Sequence, residues 1–320
     1  MNSPGTRVVR AALTQTKNAF DQMPSEVDSL ESRLARRLDE LREANLVHHE
    51  RLIRKAHARG ARLIGLGELF TAPYFALESR LFWVGLAEDG LEGPTARRMR
   101  ALSAELGSVI VAPIFELDPS GKRFNAAIVL DSGVHLGGYR KTHIPCGGNE
   151  RGRFVETDYY GPGDGGLTAR GGDHGGARIV GRNAFFPVFE TSVGRVGVAI
   201  CYDRHFEGVM KSLAAGGAEI VLSPAVTFGD KSRRMWDLEF PVDAARHNLF
   251  IGGSNRLGVE PPWTIEYFGS SYFAGPSGKC LEDLSDDPHL VISDLDLDQR
   301  KFDSSGWDLP RDTRPEIYSR

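Results

Sequence analysis

The feature that most constrains this chain is a repeated alternation of short apolar runs with longer segments of helical spacing. Arg7–Thr14, "ARLIGLGE", "SVIVAPIFEL", "NAAIVLD" and "VHLGGYRK" read as strands, and helical patterns cover Ser25–Gly60, with Gly60 as C-cap, and Gly93–Gly107. The alternation resumes with "PVFETSVGRVGVAIC", a helix over Gly208–Gly216, "AEIVLSPA", a helix around Trp236–His247, "NLFIGGSN", "SSYFAGP" and "HLVISDLDL". No break in composition separates these elements. The pattern predicts a single α/β domain over residues 1–320, with a core over 7–300 and a tail over 300–320.

Residues 145–183 depart from the pattern. They hold few apolar side chains and many glycines, so they are expected to form a loop over the surface or around a site, with 168–183 as an insertion. The stretch lacks the Lys-Ser/Thr ending of a phosphate-binding loop and does not bridge a strand to a helix. Neither H-E-x-x-H nor C-x-x-C occurs and the nine histidines are scattered, so no metal and no cofactor is expected.

A formal net charge of −4 without clustered Lys and Arg argues against a nucleic-acid surface and favours a small-molecule partner. Cys146, Cys201 and Cys280 form an odd set without paired spacing, which predicts a reducing compartment rather than a disulfide framework. No apolar stretch is long enough to span a membrane and the start shows no signal-peptide pattern, so the expected location is cytoplasmic.

Three strand tips end in ionisable residues: Glu68 after "RLIGLG", Lys141 after "HLGGYR" and Cys201 after "VGVAI". In α/β sheets, ligands bind beyond the carboxyl ends of strands. A thiol is a weak nucleophile at neutral pH, whereas a nearby cation favours the thiolate and a carboxylate can accept its proton. Glu68 is then the candidate general base, and Lys141 stabilises charge on a carbonyl oxygen together with the backbone N–H of Tyr202. Taken singly, each residue also fits a bland role, Cys201 as core and the two charged residues as solvated strand ends. Cys146 is the rival cysteine, but Pro145 and Gly147 beside it indicate a turn.

"GLGELFTAPYF", "GGYRKTHIP" and "VAICYDRHFE", in that order, resemble the three signature segments of the nitrilase, or carbon–nitrogen hydrolase, superfamily. The resemblance implies a Glu-Lys-Cys triad at Glu68, Lys141 and Cys201, no metal, and a four-layer αββα sandwich that pairs into homodimers. "GRFVETDYYGPGD" resembles the surroundings of the family's second glutamate and nominates Glu156. Many members carry Pro before the first glutamate, where this chain has Gly67.

Tyr202-Asp203 after the cysteine is more like the amidase and carbamoylase branches than the nitrilases proper. Segments including "RKTHIP", "CYDRH" and "SNRLGVE" look most like β-ureidopropionase, which implies hydrolysis of an N-carbamoyl amino acid. Such a substrate presents a carboxylate that suits the guanidinium fork of Arg204, with His205 assisting and Asn255 and Arg256 lining the mouth. Three alternatives stand beside this reading. They are an aliphatic or ω-amidase, an N-carbamoylputrescine-type amidase, which would need acidic pocket residues, and a non-catalytic scaffold.

Overall fold

The computed structural model describes residues 7–166, 178–181, 183–303, 305 and 309–317. In chain order the strands are β1 (Val8–Thr14), β2 (Leu63–Gly65), β3 (Val109–Leu117), β4 (Arg123–Asp131), β5 (Val134–Arg140), β6 (Cys146–Asn149), β7 (Gly152–Val155), β8 (Val188–Thr191), β9 (Gly194–Val198), β10 (Ile220–Pro224), β11 (Phe250–Ser254), β12 (Leu257–Val259), β13 (Glu266–Phe268), β14 (Tyr272–Ala274) and β15 (Leu290–Asp296). Two sheets dominate. One runs β15-β1-β2-β3-β4-β5 and the other β14-β11-β10-β9-β8.

Strand periodicity explains how the sheets stack. Ala11 and Leu13, Val109 and Val111, and Ala127 and Val129 share one apolar cluster with Val196, Val198, Ile220 and Ile251 of the second sheet. The intervening residues Ala12, Ile64, Ile110, Ala112, Ile128 and Leu130 face the other way, against Leu46, Ile53, Met99 and Leu102 of the helices Leu38–Ala58 and Pro94–Leu106. Val209, Met210, Leu213, Trp236 and Phe240, from the helices Glu207–Ala215 and Asp230–His247, pack with the second sheet. The layers are therefore helix, sheet, sheet, helix, the expected αββα sandwich. Central strands covered on both faces are apolar along their whole length, which is why they stand out in the sequence.

Two expectations are corrected. The helix expected over Ser25–Gly60 is interrupted: a short helix at Leu30–Leu34 precedes the long one at Leu38–Ala58. Leu30, Leu34, Leu38 and Leu41 belong to a third cluster with Phe75 and Trp83, which the break allows them to reach. The long helix ends before Gly60 at φ 93°, in keeping with a glycine C-cap. The loop expected from 145 onward contains the β6-β7 hairpin. Its glycines permit close backbone approach, since a Cβ on Gly148 would lie 2.8 Å from the Gly152 carbonyl oxygen. Most of the expected 168–183 insertion lies outside the described residues. Among the described residues, no helix is long and apolar enough to cross a membrane.

Candidate active site

β1, β2 and β3 run parallel, and two antiparallel steps through β4 bring β5 into the same direction. Glu68 lies three residues beyond β2, and Lys141 directly follows β5. Cys201 lies three residues beyond β9, at the start of a tight 3-10 turn over Cys201–His205. Glu156 opens another such turn after β7. Carboxyl ends of strands from both sheets thus supply the expected group.

Lys141 Nζ donates to Glu68 Oε1 at 2.9 Å and to Glu156 Oε2 at 2.6 Å. Both Lys141 and Glu68 are fully buried and Glu156 nearly so. Glu68 Oε1 also accepts Asn125 Nδ2 at 2.7 Å, while Oε2 accepts the Val226 N–H at 2.8 Å. The Cys201 thiol donates to the Val226 carbonyl at 3.4 Å, so one peptide segment touches both the sulfur and the carboxylate. Cys201 keeps 7% of its surface exposed, against none for Lys141 and Glu68. The Tyr74 hydroxyl donates to Glu156 Oε1 at 2.8 Å, and Tyr160 joins the group through Asn125.

The electrostatics follow from burial. It pushes the Cys201 thiol up to about 12, with the Glu68 charge adding to the effect and Lys141 and Arg204 opposing it. Burial alone would lower the Lys141 ammonium, but Glu156, Glu68 and the sulfur outweigh it and raise the group above the ordinary lysine range. Burial also raises Glu156, against the pull of Lys141. Lys141 and Arg204 act in the expected direction, toward the thiolate, but burial and the Glu68 charge outweigh them. Lys141 is held between two carboxylates rather than by the sulfur alone.

The neighbouring residues divide. Arg204 Nη1 donates to the Cys201 carbonyl at 2.8 Å and lies 3.9 Å from the sulfur, while Nε is 3.1 Å from Glu239 Oε2. His205 Nδ1 is 2.6 Å from the other oxygen of Glu239. Arg204 thus borders the Cys201 sulfur, but as half of an ion pair with Glu239. Tyr202 follows Cys201 and packs edge-on against His205 and Phe206.

Asn255 and Arg256 do not line the mouth. Asn255 Oδ1 accepts the Thr227 N–H, and its amide donates to the Thr227 and Gly269 carbonyls. Arg256 is fully buried, pairs with Glu260, and donates to the carbonyls of Glu68, Leu69 and Ala72. Its guanidinium braces the Glu68 turn from behind. Cys146 is exposed on the β6-β7 hairpin, opposite Val155.

Sequence reasoning missed Tyr74, Asn125, Tyr160 and Asp203. Asn125 offered a signal, since a polar side chain in an otherwise apolar buried strand requires a partner. Gly67, the departure from the family pattern, has a steric cause. A Cβ there would lie 2.0 Å from Thr16 Oγ1, and its N–H donates to Thr14 Oγ1 at 3.1 Å, a bond proline could not make. Among the described residues, no group of three or more His, Cys, Asp or Glu side chains could hold a metal ion.

The αββα sandwich thus brings a buried acid, amine and thiol together at its strand tips. The carbon-nitrogen hydrolase family model matches residues 22–302, and the chain belongs to that family. It is 32% identical over 288 residues to the N-carbamoylputrescine amidase of Arabidopsis thaliana, covering 86% of this chain and 88% of that protein. It is 30% identical over 286 residues to the beta-ureidopropionase of the same plant, covering 84% and 64%. Among solved structures, the carbon-nitrogen hydrolase of Helicobacter pylori G27 shares its fold, with a TM-score of 0.76 at 24% identity over 98% of this chain and 97% of the other.

Proposed function

We propose that this carbon–nitrogen hydrolase cleaves an N-carbamoyl compound through a covalent Cys201 intermediate. The observation that carries the reading is the Lys141 ammonium bonded to both Glu68 and Glu156, with Glu68 and Cys201 joined through the two polar groups of Val226. A neutral thiol needs a base at the moment of attack, and Glu68 is that base. Cys201 attacks the carbamoyl carbon as Glu68 takes its proton. An ammonium has three donors, of which Lys141 directs two to carboxylates, so the third serves the developing oxyanion with the Tyr202 N–H.

Glu68 then returns its proton to the leaving nitrogen and ammonia departs, leaving an S-carbamoyl, thioester-type adduct. Water activated by Glu68 hydrolyses the adduct, restores the thiol and releases a carbamic acid that breaks down to amine and carbon dioxide. The covalent route divides one difficult hydrolysis into two easier steps.

Arg204 beside the sulfur supports an N-carbamoyl amino acid such as N-carbamoyl-β-alanine, whose carboxylate would meet a guanidinium. Glu239, paired with that guanidinium, favours a second reading, an N-carbamoyl amine with a cationic tail, and the 32%-identical amidase acts on such a compound by its name. Ammonia release from N-carbamoyl-β-alanine, N-carbamoylputrescine, simple amides and nitriles separates these. The first reading predicts that the ureido acid is turned over fastest and that Arg204→Glu abolishes its hydrolysis. Unchanged turnover in Arg204→Glu removes it.

The assembly we propose is a homodimer. Leu238 and Val242 stand exposed one turn apart on the helix Asp230–His247, an apolar pair that a second copy would cover. Light scattering at low micromolar concentration tests this, and a monomer would refute it. Three free cysteines support a reducing, cytoplasmic setting.

A further inference from the structure

Lys141 and Cys201 follow strands of different sheets, and among the described residues no strand of one pairs with a strand of the other. The bridge between Thr16 and Arg256 lies beyond the ends of β1 and β11. Backbone pairing therefore does not hold the ammonium against the thiol. The buried carboxylate of Asp203 spans the gap. Its Oδ2 accepts the N–H of Ile200, the residue before the nucleophile, at 3.0 Å and the Tyr139 hydroxyl at 2.6 Å. Its Oδ1 accepts the Thr142 hydroxyl at 2.9 Å, the His143 N–H at 3.0 Å and His143 Nδ1 at 2.8 Å. Tyr139 lies two residues before Lys141, and Thr142 and His143 follow it. One carboxylate thus grips the lysine segment on both sides while holding the start of the Cys201 turn. The His143 ring also stacks on Phe206, just past that turn, with centroids 3.8 Å apart and planes 12° from parallel.

We propose that Asp203 is a positioning residue that sets the register between the Cys201 turn and the Lys141 strand end. The proposal rests on the catalytic reading above and adds a group that touches neither substrate nor the reacting atoms. A carboxylate accepts only, and its roughly four lone-pair sites, none left free, are shared by the five converging donors. A carboxamide of the same size would aim two N–H donors at some of them. The segments would then shift apart without any loss of volume.

The test compares Asp203→Asn, Thr142→Val and His143→Ala with the wild type and Cys201→Ala. The readouts are kcat and KM for ammonia release from an N-carbamoyl substrate, the thermal midpoint, and the stoichiometry of Cys201 alkylation by iodoacetamide. Asp203→Asn is expected to lower kcat per alkylatable site on the order of 100-fold, the effect of roughly 1 Å of misplacement, while KM stays close to the wild-type value. Thr142→Val and His143→Ala should lower kcat in the same direction by less, and they carry the test if Asp203→Asn fails to fold. A purely structural role would remove alkylatable sites in proportion to activity and leave kcat per site unchanged. That result, or wild-type kcat in all three variants, overturns the proposal. Wild-type activity in Asp203→Asn beside an inactive Cys201→Ala refutes the positioning role alone, whereas an active Cys201→Ala refutes the catalytic reading itself.

Discussion

The turn that carries Glu68 and the turn that carries Cys201 are built to the same plan with opposite charges. Each contains a residue in the left-handed region, Leu69 at φ 50° and Cys201 at φ 51°, where a side chain is disfavoured. On the Glu68 side a buried cation, Arg256, donates to three carbonyls of the turn. On the Cys201 side a buried anion, Asp203, accepts from backbone and hydroxyl donors. The first turn is sealed, whereas the second has Tyr202 and His205 half-buried beside Cys201. Glu68 is placed where little can move, and Cys201 on a turn that borders half-buried residues.

The largest expected effect lies on the sealed side. Arg256→Met would leave Glu260 as a buried charge without its partner and the three turn carbonyls without their donor. Urea unfolding should show a loss of about 3–5 kcal/mol, and a loss below about 1 kcal/mol would mean that the turn does not depend on its cation.

Glycine substitution sharpens the same contrast. A Cβ on Gly67 meets Thr16 Oγ1 at 2.0 Å and Thr16 Cβ at 2.7 Å, whereas on Gly197 of β9 it meets the end of the Leu213 side chain at 2.9 Å. Thr16 is buried and held, and Leu213 can turn. Gly67→Ala should cost about 1–3 kcal/mol, and Gly197→Ala less. Equal thermal midpoints for the two variants would contradict a difference in rigidity.

Acid should also act first on the Glu68 side. His49 Nε2 lies 3.4 Å from Thr16 Oγ1, beneath Gly67, and burial pulls its imidazole down to about 3. The folded chain keeps this ring neutral while the unfolded chain protonates it below pH 6.5. Its contribution to stability is complete above that pH and declines as pH falls toward 3, by about 1.4 kcal/mol per pH unit. Denaturation midpoints from pH 7 to 4.5 should decline less steeply in His49→Gln, and an unchanged slope would refute this origin.

The two turns also show how far the sequence could be read. The main strands and the positions of Glu68, Lys141 and Cys201 were legible, because buried strands write apolar runs and the residues at their tips break them, whereas the layers and Glu156 came from the family resemblance alone. The braces were not. Arg256 looked like a residue of the mouth because its three carbonyl partners lie more than 180 residues away in the chain. Asp203 served only as a branch marker, since its partners around Lys141 lie about 60 residues away. Tyr74 and Tyr160 passed as core aromatics, although a buried hydroxyl needs a partner. The β6-β7 hairpin has no apolar alternation to reveal it.

The central claim, that Cys201 attacks under the control of Glu68 and Lys141, is tested most directly by acid quench during turnover of an N-carbamoyl substrate, followed by peptide mass spectrometry. The predicted result is a carbamoyl-type adduct on the peptide containing Cys201, absent from Cys201→Ala along with ammonia release. An adduct on Cys146 instead, or undiminished ammonia release by Cys201→Ala, would contradict it.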